Sequence, residues 1–199
     1  MNESGLIDAV LRETEAVVGH VAELSDFVGE SLANLRYDPE EARHLPVASR
    51  VSDMQGATST RTANLVRAIT DAAPVLRWQQ TYSEAQVGAE FLAGYGWFNL
   101  VSPDGPFISD EIRVAVGYWE EGLTYPQHAH APEEIYIVLA GGAVFESEGR
   151  DPIAATPGDT IHHAPYQMHG MAMPNAPLLA MAFWKGDGLM NKSRLERVA

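Results

Sequence analysis

Seven histidines occur in the chain, and five of them, His128, His130, His162, His163 and His169, crowd between positions 128 and 169. His128 and His130 are two residues apart, so on an extended strand both imidazoles point to the same face. Glu134 and Tyr136 keep that even parity if the strand continues across the short Ala131-Pro132-Glu133 turn. Three potential ligands and a phenol then face one interior. A fourth ligand can come from a later strand pair, where Pro157-Gly158-Asp159 makes a turn and His169 follows eleven residues after Gly158. His, His, Glu and His are a workable shell for one divalent transition metal ion, Zn, Fe, Mn, Co or Ni, with room for substrate or water. His162 and His163 read as hydrogen-bonding neighbours of that shell.

Cysteine is absent, which removes disulfides, thiolate nucleophiles, zinc fingers and Cys-ligated iron–sulfur clusters. Any metal must therefore be held by His and carboxylate. With 13 Lys and Arg against 27 Asp and Glu, the formal charge is −14, a field that repels phosphate backbones and anionic lipid. Nucleic acid and membrane are excluded as expected partners. The acidic N-terminus, with Glu3, Asp8 and Glu13, lacks the basic flank of a signal peptide, so a cytoplasmic location is expected. The sequence fixes no oligomeric state, and a homodimer is compatible with it.

The elements that must position these residues lie in two unlike halves. From Ser4 to about Leu35 apolar residues recur every three or four positions, predicting an amphipathic helix, and Tyr37 to Gly56 predicts a connection with short helical turns. Helix is expected again over about 58–72 and from Pro74 through Phe91, with the GYGWF segment at 94–98 ending it. After about Val101 the pattern changes to short apolar runs, such as 112–119, 135–139, 143–146 and 178–184, separated by Gly- and Pro-containing turns. Strands at this spacing predict a closed or double-layered antiparallel barrel. The expected organisation is a helical N-terminal extension over 1–100 and a β-barrel carrying the metal site over 101–199, ending in a short helix or tail from Gly186.

The stretch Gly122-LTYPQ-His128-Ala-His130-APE-Glu134-IYIVLA-Gly141 resembles the first motif of the cupin superfamily at every defined position. The second motif is partly kept: Gly158 and His169 hold their separation, while the Pro is shifted to Pro165, a Gly is missing, and Met173 stands in place of Asn. The resemblance covers about residues 110–186 and implies a mainly β, double-stranded β-helix barrel. A narrower resemblance rests on Tyr125, Tyr136, HHAPYQMHGM at 162–171 and FWKGDGL at 183–189 behind a helical extension. These features are similar to the bacterial cupin-type dimethylsulfoniopropionate lyases, the DddQ, DddL, DddK and DddW group, which release dimethyl sulfide and acrylate by β-elimination. The resemblance implies that His128, His130, Glu134 and His169 hold the metal and that Tyr136 is the base.

Those residue types suit that reaction. A divalent cation on a carboxylate stabilises the charge that develops when the α-proton leaves, and a nearby metal favours the tyrosinate form of a phenol. The leaving group is a neutral sulfide expelled from a sulfonium, and the sulfonium can rest on aromatic faces. Tyr125, Tyr166 and Trp184 are the candidates to line that pocket, so the expected partner is a small zwitterionic sulfonium carboxylate. Cupin motifs host many chemistries, so a dioxygenase or isomerase on another small carboxylate or sugar, or a non-catalytic ligand-binding cupin, stands as the alternative.

Overall fold

The computed structural model describes residues 2–54 and 57–195. Asn2 opens the first helix, α1 (Glu3–His20), its side-chain oxygen accepting from the Gly5 amide at 3.1 Å. The long helix expected from Ser4 is broken at Val21, which is extended, and resumes as α2 (Ala22–Val28) until Gly29, at φ 56°, ends it. Spacing by threes and fours does not register a break of one residue, which is why the sequence pattern runs through it. The connection beyond holds β1 (Arg36–Tyr37) and α3 (Pro46–Ser52), and α4 (Ala63–Ala72) follows.

The helix expected from Pro74 through Phe91 does not form. A 3-10 turn at Ala73–Val75 is followed by extended chain in which Gln79 bridges Trp97, and only the short α5 (Glu84–Val87) and α6 (Ala89–Ala93) are helical. Trp78 is fully buried with its indole N–H on the Ala73 carbonyl at 2.9 Å, and Gly88 at φ 84° separates the two short helices. Burial of Trp78 and the left-handed glycine override the apolar spacing. Gly94 ends α6, as expected of GYGWF, and Tyr95 opens a strand, β2 (Tyr95–Ser102), so position 100 falls inside a strand.

The remaining strands are β3 (Phe107–Ile108), β4 (Ile112–Trp119), β5 (Thr124–Ala129), β6 (Glu133–Gly141), β7 (Ala143–Ser147), β8 (Ile153–Ala155), β9 (Thr160–His163), β10 (His169–Ala172), β11 (Leu178–Lys185) and β12 (Arg194–Leu195). They form a seven-stranded sheet, β1-β3-β2-β4-β11-β6-β9, and a five-stranded sheet, β12-β5-β10-β7-β8, facing each other as the expected mainly β, double-layered barrel. The stretch from Gly186 holds a turn and β12; residues 196–199 lie outside the described residues.

Alternation along the larger sheet explains the helical half. Val114, Val116, Ile135, Ile137, Leu139, Met181 and Phe183 share one core with Val10, Leu65 and Ile69 of the helices. The alternate residues, among them Tyr136, Val138 and Ala182, belong to a second cluster inside the barrel. Both faces of the sheet are therefore covered, at about 1.5–3 kcal/mol for each fully buried large aliphatic or aromatic side chain. Lys185 ties the two layers: its Nζ donates to the Phe27 and Val28 carbonyls at 2.9 and 3.2 Å, at the C-terminal end of α2. Among the described residues, no helix is long and apolar enough to cross a membrane.

Candidate metal centre and cavity

The two sheets bring His128, His130, Glu134 and His169 together. His128 sits on β5 directly opposite His169 on β10, in register, with ring centroids 4.2 Å apart. Glu134 reaches the same point from β6 on the facing sheet. Each of the three imidazoles is oriented by a carbonyl two residues away: His128 Nδ1 on Pro126 O at 2.9 Å, His130 Nδ1 on Pro132 O at 2.9 Å and His169 Nδ1 on Gln167 O at 2.8 Å. A carbonyl only accepts, so Nδ1 must carry the proton, and Nε2 presents a lone pair to the interior. The Nε2 atoms of His130 and His169 lie 3.1 and 3.2 Å from Glu134 Oε2, and all four residues are buried.

This donor set fits a metal ion. His128, His130 and His169 can bring their ligand atoms within 4.8 Å of one another, as can Glu134, His163 and His169. Among the described residues His163 Nε2 is buried without a hydrogen-bond partner, an unfavourable state that a cation would relieve. Burial followed by the nearby His169 pushes the pKa of His128 down to about 3, so it is a neutral ligand at ordinary pH. Burial alone would raise the Glu134 carboxyl, but His130 and His169 hold it well below the usual carboxylate range.

His163 faces this centre and His162 does not. On β9 the parity of Ile161 and His163 is inward, so His163 stacks on His169 at 3.9 Å and 11°, while the outward His162 bonds Glu133 at 2.6 Å. Alternation with Ile161, whose burial the structure shows, separates the two. Burial, then His169, lowers the His163 pKa to about 3.

The larger sheet lays its polar residues out in a row. Arg113 on β4 pairs with Trp184 on β11, Trp184 with Glu134 on β6, and Glu134 with His163 on β9. The next row inward is Ala115, Ala182, Tyr136 and Ile161, and beyond it Gly117 pairs with Ala180. The small residues hollow out a cavity of about 340 Å³, lined by Arg113, Trp119, Tyr125, Glu134, Tyr136 and Trp184 among others. Tyr136 is buried at its wall; burial first, and then the Glu134 carboxylate, push its pKa well above the ordinary phenol value. Trp184 gives its indole N–H to Glu134 Oε1 and holds its ring 4.1 Å from that of His130.

Tyr125 is buried beside His128, with its hydroxyl 3.1 Å from that of Tyr82. Tyr166 is not brought together with the others and does not line the cavity, contrary to expectation. It is 71% exposed, in a tight turn at φ 61°, a left-handed conformation at the very stretch where the second cupin motif lost its glycine. That backbone turns its ring to solvent. Sequence reasoning missed Arg113, Tyr95, Trp97 and Trp119, which enter the cavity from β2 and β4. The alternation Arg113, Ala115, Gly117, Trp119 was the available signal. Among the described residues Trp119 Nε1 is buried without a partner, a donor left for whatever occupies the cavity.

Comparison with known proteins agrees with this geometry. The family model for dimethylsulfoniopropionate (DMSP) lyase matches residues 25–180. The chain is 33% identical to the dimethylsulfoniopropionate lyase DddQ of Ruegeria pomeroyi over 178 residues, 89% of this chain and 88% of the relative. A solved structure of the DMSP lyases RdDddP and RnDddQII superposes with a TM-score of 0.95 at 32% identity, covering 98% of this chain and 100% of the other. A cupin-2 domain protein of Rhodospirillum rubrum, Rru_A2000, shares the fold at a TM-score of 0.50 and 17% identity, over 63% of this chain and 78% of the other.

Proposed function

We propose, from the fact that this chain belongs to the dimethylsulfoniopropionate lyase family, that its cavity converts dimethylsulfoniopropionate to dimethyl sulfide and acrylate. The observation that carries the reading is the buried phenol of Tyr136 lining the same cavity as Glu134, on the same strand face, two residues away. His128, His130, Glu134 and His169 would hold a divalent first-row metal, which would supply Lewis-acid stabilisation of charge on the substrate carboxylate and lower the proton affinity of a phenol beside it.

Tyr136, as the tyrosinate, takes the α-proton on its Oη and becomes the neutral phenol. The C–H electron pair becomes the new Cα–Cβ double bond, the Cβ–S bond breaks, and its pair leaves on sulfur as neutral dimethyl sulfide. No residue has to protonate that leaving group. Burial of Tyr136 beside the buried Ala182 keeps water from competing for the proton. Trp184 fixes Glu134 through its N–H, and Tyr125 offers its face to the sulfonium. The metal we favour is any of Zn, Fe, Mn, Co or Ni, because supply as well as ligand type decides occupancy.

The test is direct. Substrate is added to purified, metal-loaded protein and dimethyl sulfide is read by headspace gas chromatography. Release of the sulfide that disappears in Tyr136→Phe supports the mechanism; undiminished release from that variant overturns it.

A further inference from the structure

Among the described residues, Arg113 is the one Lys or Arg that is buried. Its guanidinium lies 4.7 Å from the Trp97 ring centroid and 4.9 Å from that of Trp184. Its Nε donates to Asn99 Oδ1 at 2.8 Å and its Nη1 to the Leu189 carbonyl at 3.1 Å. Asn99 in turn donates to Asp104 at 3.2 Å, so a carboxylate is reached only through a neutral relay. Arg113 makes no ion pair with any described residue, and its Nη2 makes no hydrogen bond with one. Buried cations are ordinarily paired, and guanidinium keeps its proton in such places. This one lines the cavity with donors to spare.

The opposite end of the cavity has the complementary character. Six residues along β4 from Arg113, Trp119 stands against Tyr95 and Tyr125, with ring centroids 5.5 to 5.7 Å apart. Among the described residues, no Lys or Arg lies over those three rings, whereas Trp97 and Trp184 already carry Arg113. A second cation beside Trp184 would meet the charge of the first.

We propose that Arg113 takes one oxygen of the substrate carboxylate, leaving the other for the metal, and thereby fixes the direction in which a zwitterion lies, carboxylate toward Arg113 and sulfonium toward Tyr95, Trp119 and Tyr125. The inference rests on the lyase reading for the identity of the zwitterion. It assigns the aromatic trio, rather than Trp184, to the cationic end. The two planar donor edges of a guanidinium suit a carboxylate better than the point charge of an ammonium does.

The test separates the two ends of the substrate. Propionate, which carries only the carboxylate, and trimethylsulfonium, which carries only the cation, are titrated by NMR into zinc-loaded wild type, Arg113→Gln and Arg113→Lys. Arg113→Gln is expected to weaken propionate by about 10- to 100-fold while trimethylsulfonium binds as before or tighter, and Arg113→Lys to fall between. Opposite movement of the two probes is something a merely loosened structure cannot give. Propionate that fails to bind wild type, binds Arg113→Gln equally well, or weakens together with trimethylsulfonium overturns the proposal. If Arg113→Gln does not fold, Arg113→Lys decides, with propionate weakened at least about threefold in support and unchanged against. Because these are binding measurements, absence of dimethyl sulfide release from wild type would sink the lyase reading and leave the anchor standing.

Discussion

Glu134 Oε2 stands 3.1 Å from His130 Nε2, and with His130 Nδ1 committed to the Pro132 carbonyl, neutral imidazole and carboxylate aim lone pairs at each other. Only a proton or a metal ion makes that contact favourable. Without the ion, burial pulls the His130 pKa down and Glu134 more than reverses it, leaving it raised. Removing either Glu134 or His169 should abolish stoichiometric metal retention. Elemental analysis of Glu134→Ala and His169→Ala after dialysis against a chelator is expected to show little bound metal, against about one equivalent in wild type.

Trp184 acts on the centre through one hydrogen bond to Glu134 Oε1. Trp184→Phe keeps the ring and loses the donor, so its metal affinity is expected to fall by about 10- to 100-fold with little change in thermal stability of the metal-free form. Competition against a fluorescent chelator, beside a melting curve, checks both halves of that statement.

Tyr136→Phe removes a single oxygen from a buried wall. Lyase turnover is expected to drop by at least about 100-fold, in line with the usual contribution of a positioned acid or base. Metal content should stay at the wild-type level, which distinguishes a lost base from a collapsed site.

His128 and His163, both held down to about pKa 3 from 6.5, give the metal-free protein an acid limit. Below pH about 6.5 the unfolded chain takes up protons that the native chain refuses, so stability is full above that pH and falls toward pH 3, by about 1.4 kcal/mol per pH unit for each histidine. Glu134, lowered in the native state, adds to the fall below its unfolded value of 4.5. His130, raised, acts in the opposite sense but only above pH 6.5. Urea titrations at a series of pH values should show the unfolding midpoint decreasing steadily on acidification through this window.

Gly117 is small because Trp119 lies over it: a Cβ there would sit 2.2 Å from the Trp119 ring. Gly117→Ala is expected to cost about 1–3 kcal/mol through overpacking and to raise KM by displacing that ring into the cavity. Tyr166→Ala, changing an exposed side chain outside the cavity, should leave turnover within about twofold. Steady-state kinetics of the two variants side by side test the contrast.

The sequence by itself determined the fold class, the four converging donors His128, His130, Glu134 and His169, and Tyr136 beside them, because strand parity and local spacing are written in consecutive residues. It could not decide between His162 and His163 without the register of β9 against β6, nor see that Tyr166 turns outward on a left-handed backbone. The run from Pro74 to Phe91 looked helical because periodicity is a local signal, while the burial of Trp78 and the pairing of Gln79 with Trp97 are not. Arg113 shows the limit most clearly. In the sequence it is marked only by its alternation with Ala115, Gly117 and Trp119, and only pairing across β4, β11 and β6 sets it beside Trp184 and Glu134, in a cavity that small residues on two separate strands leave open.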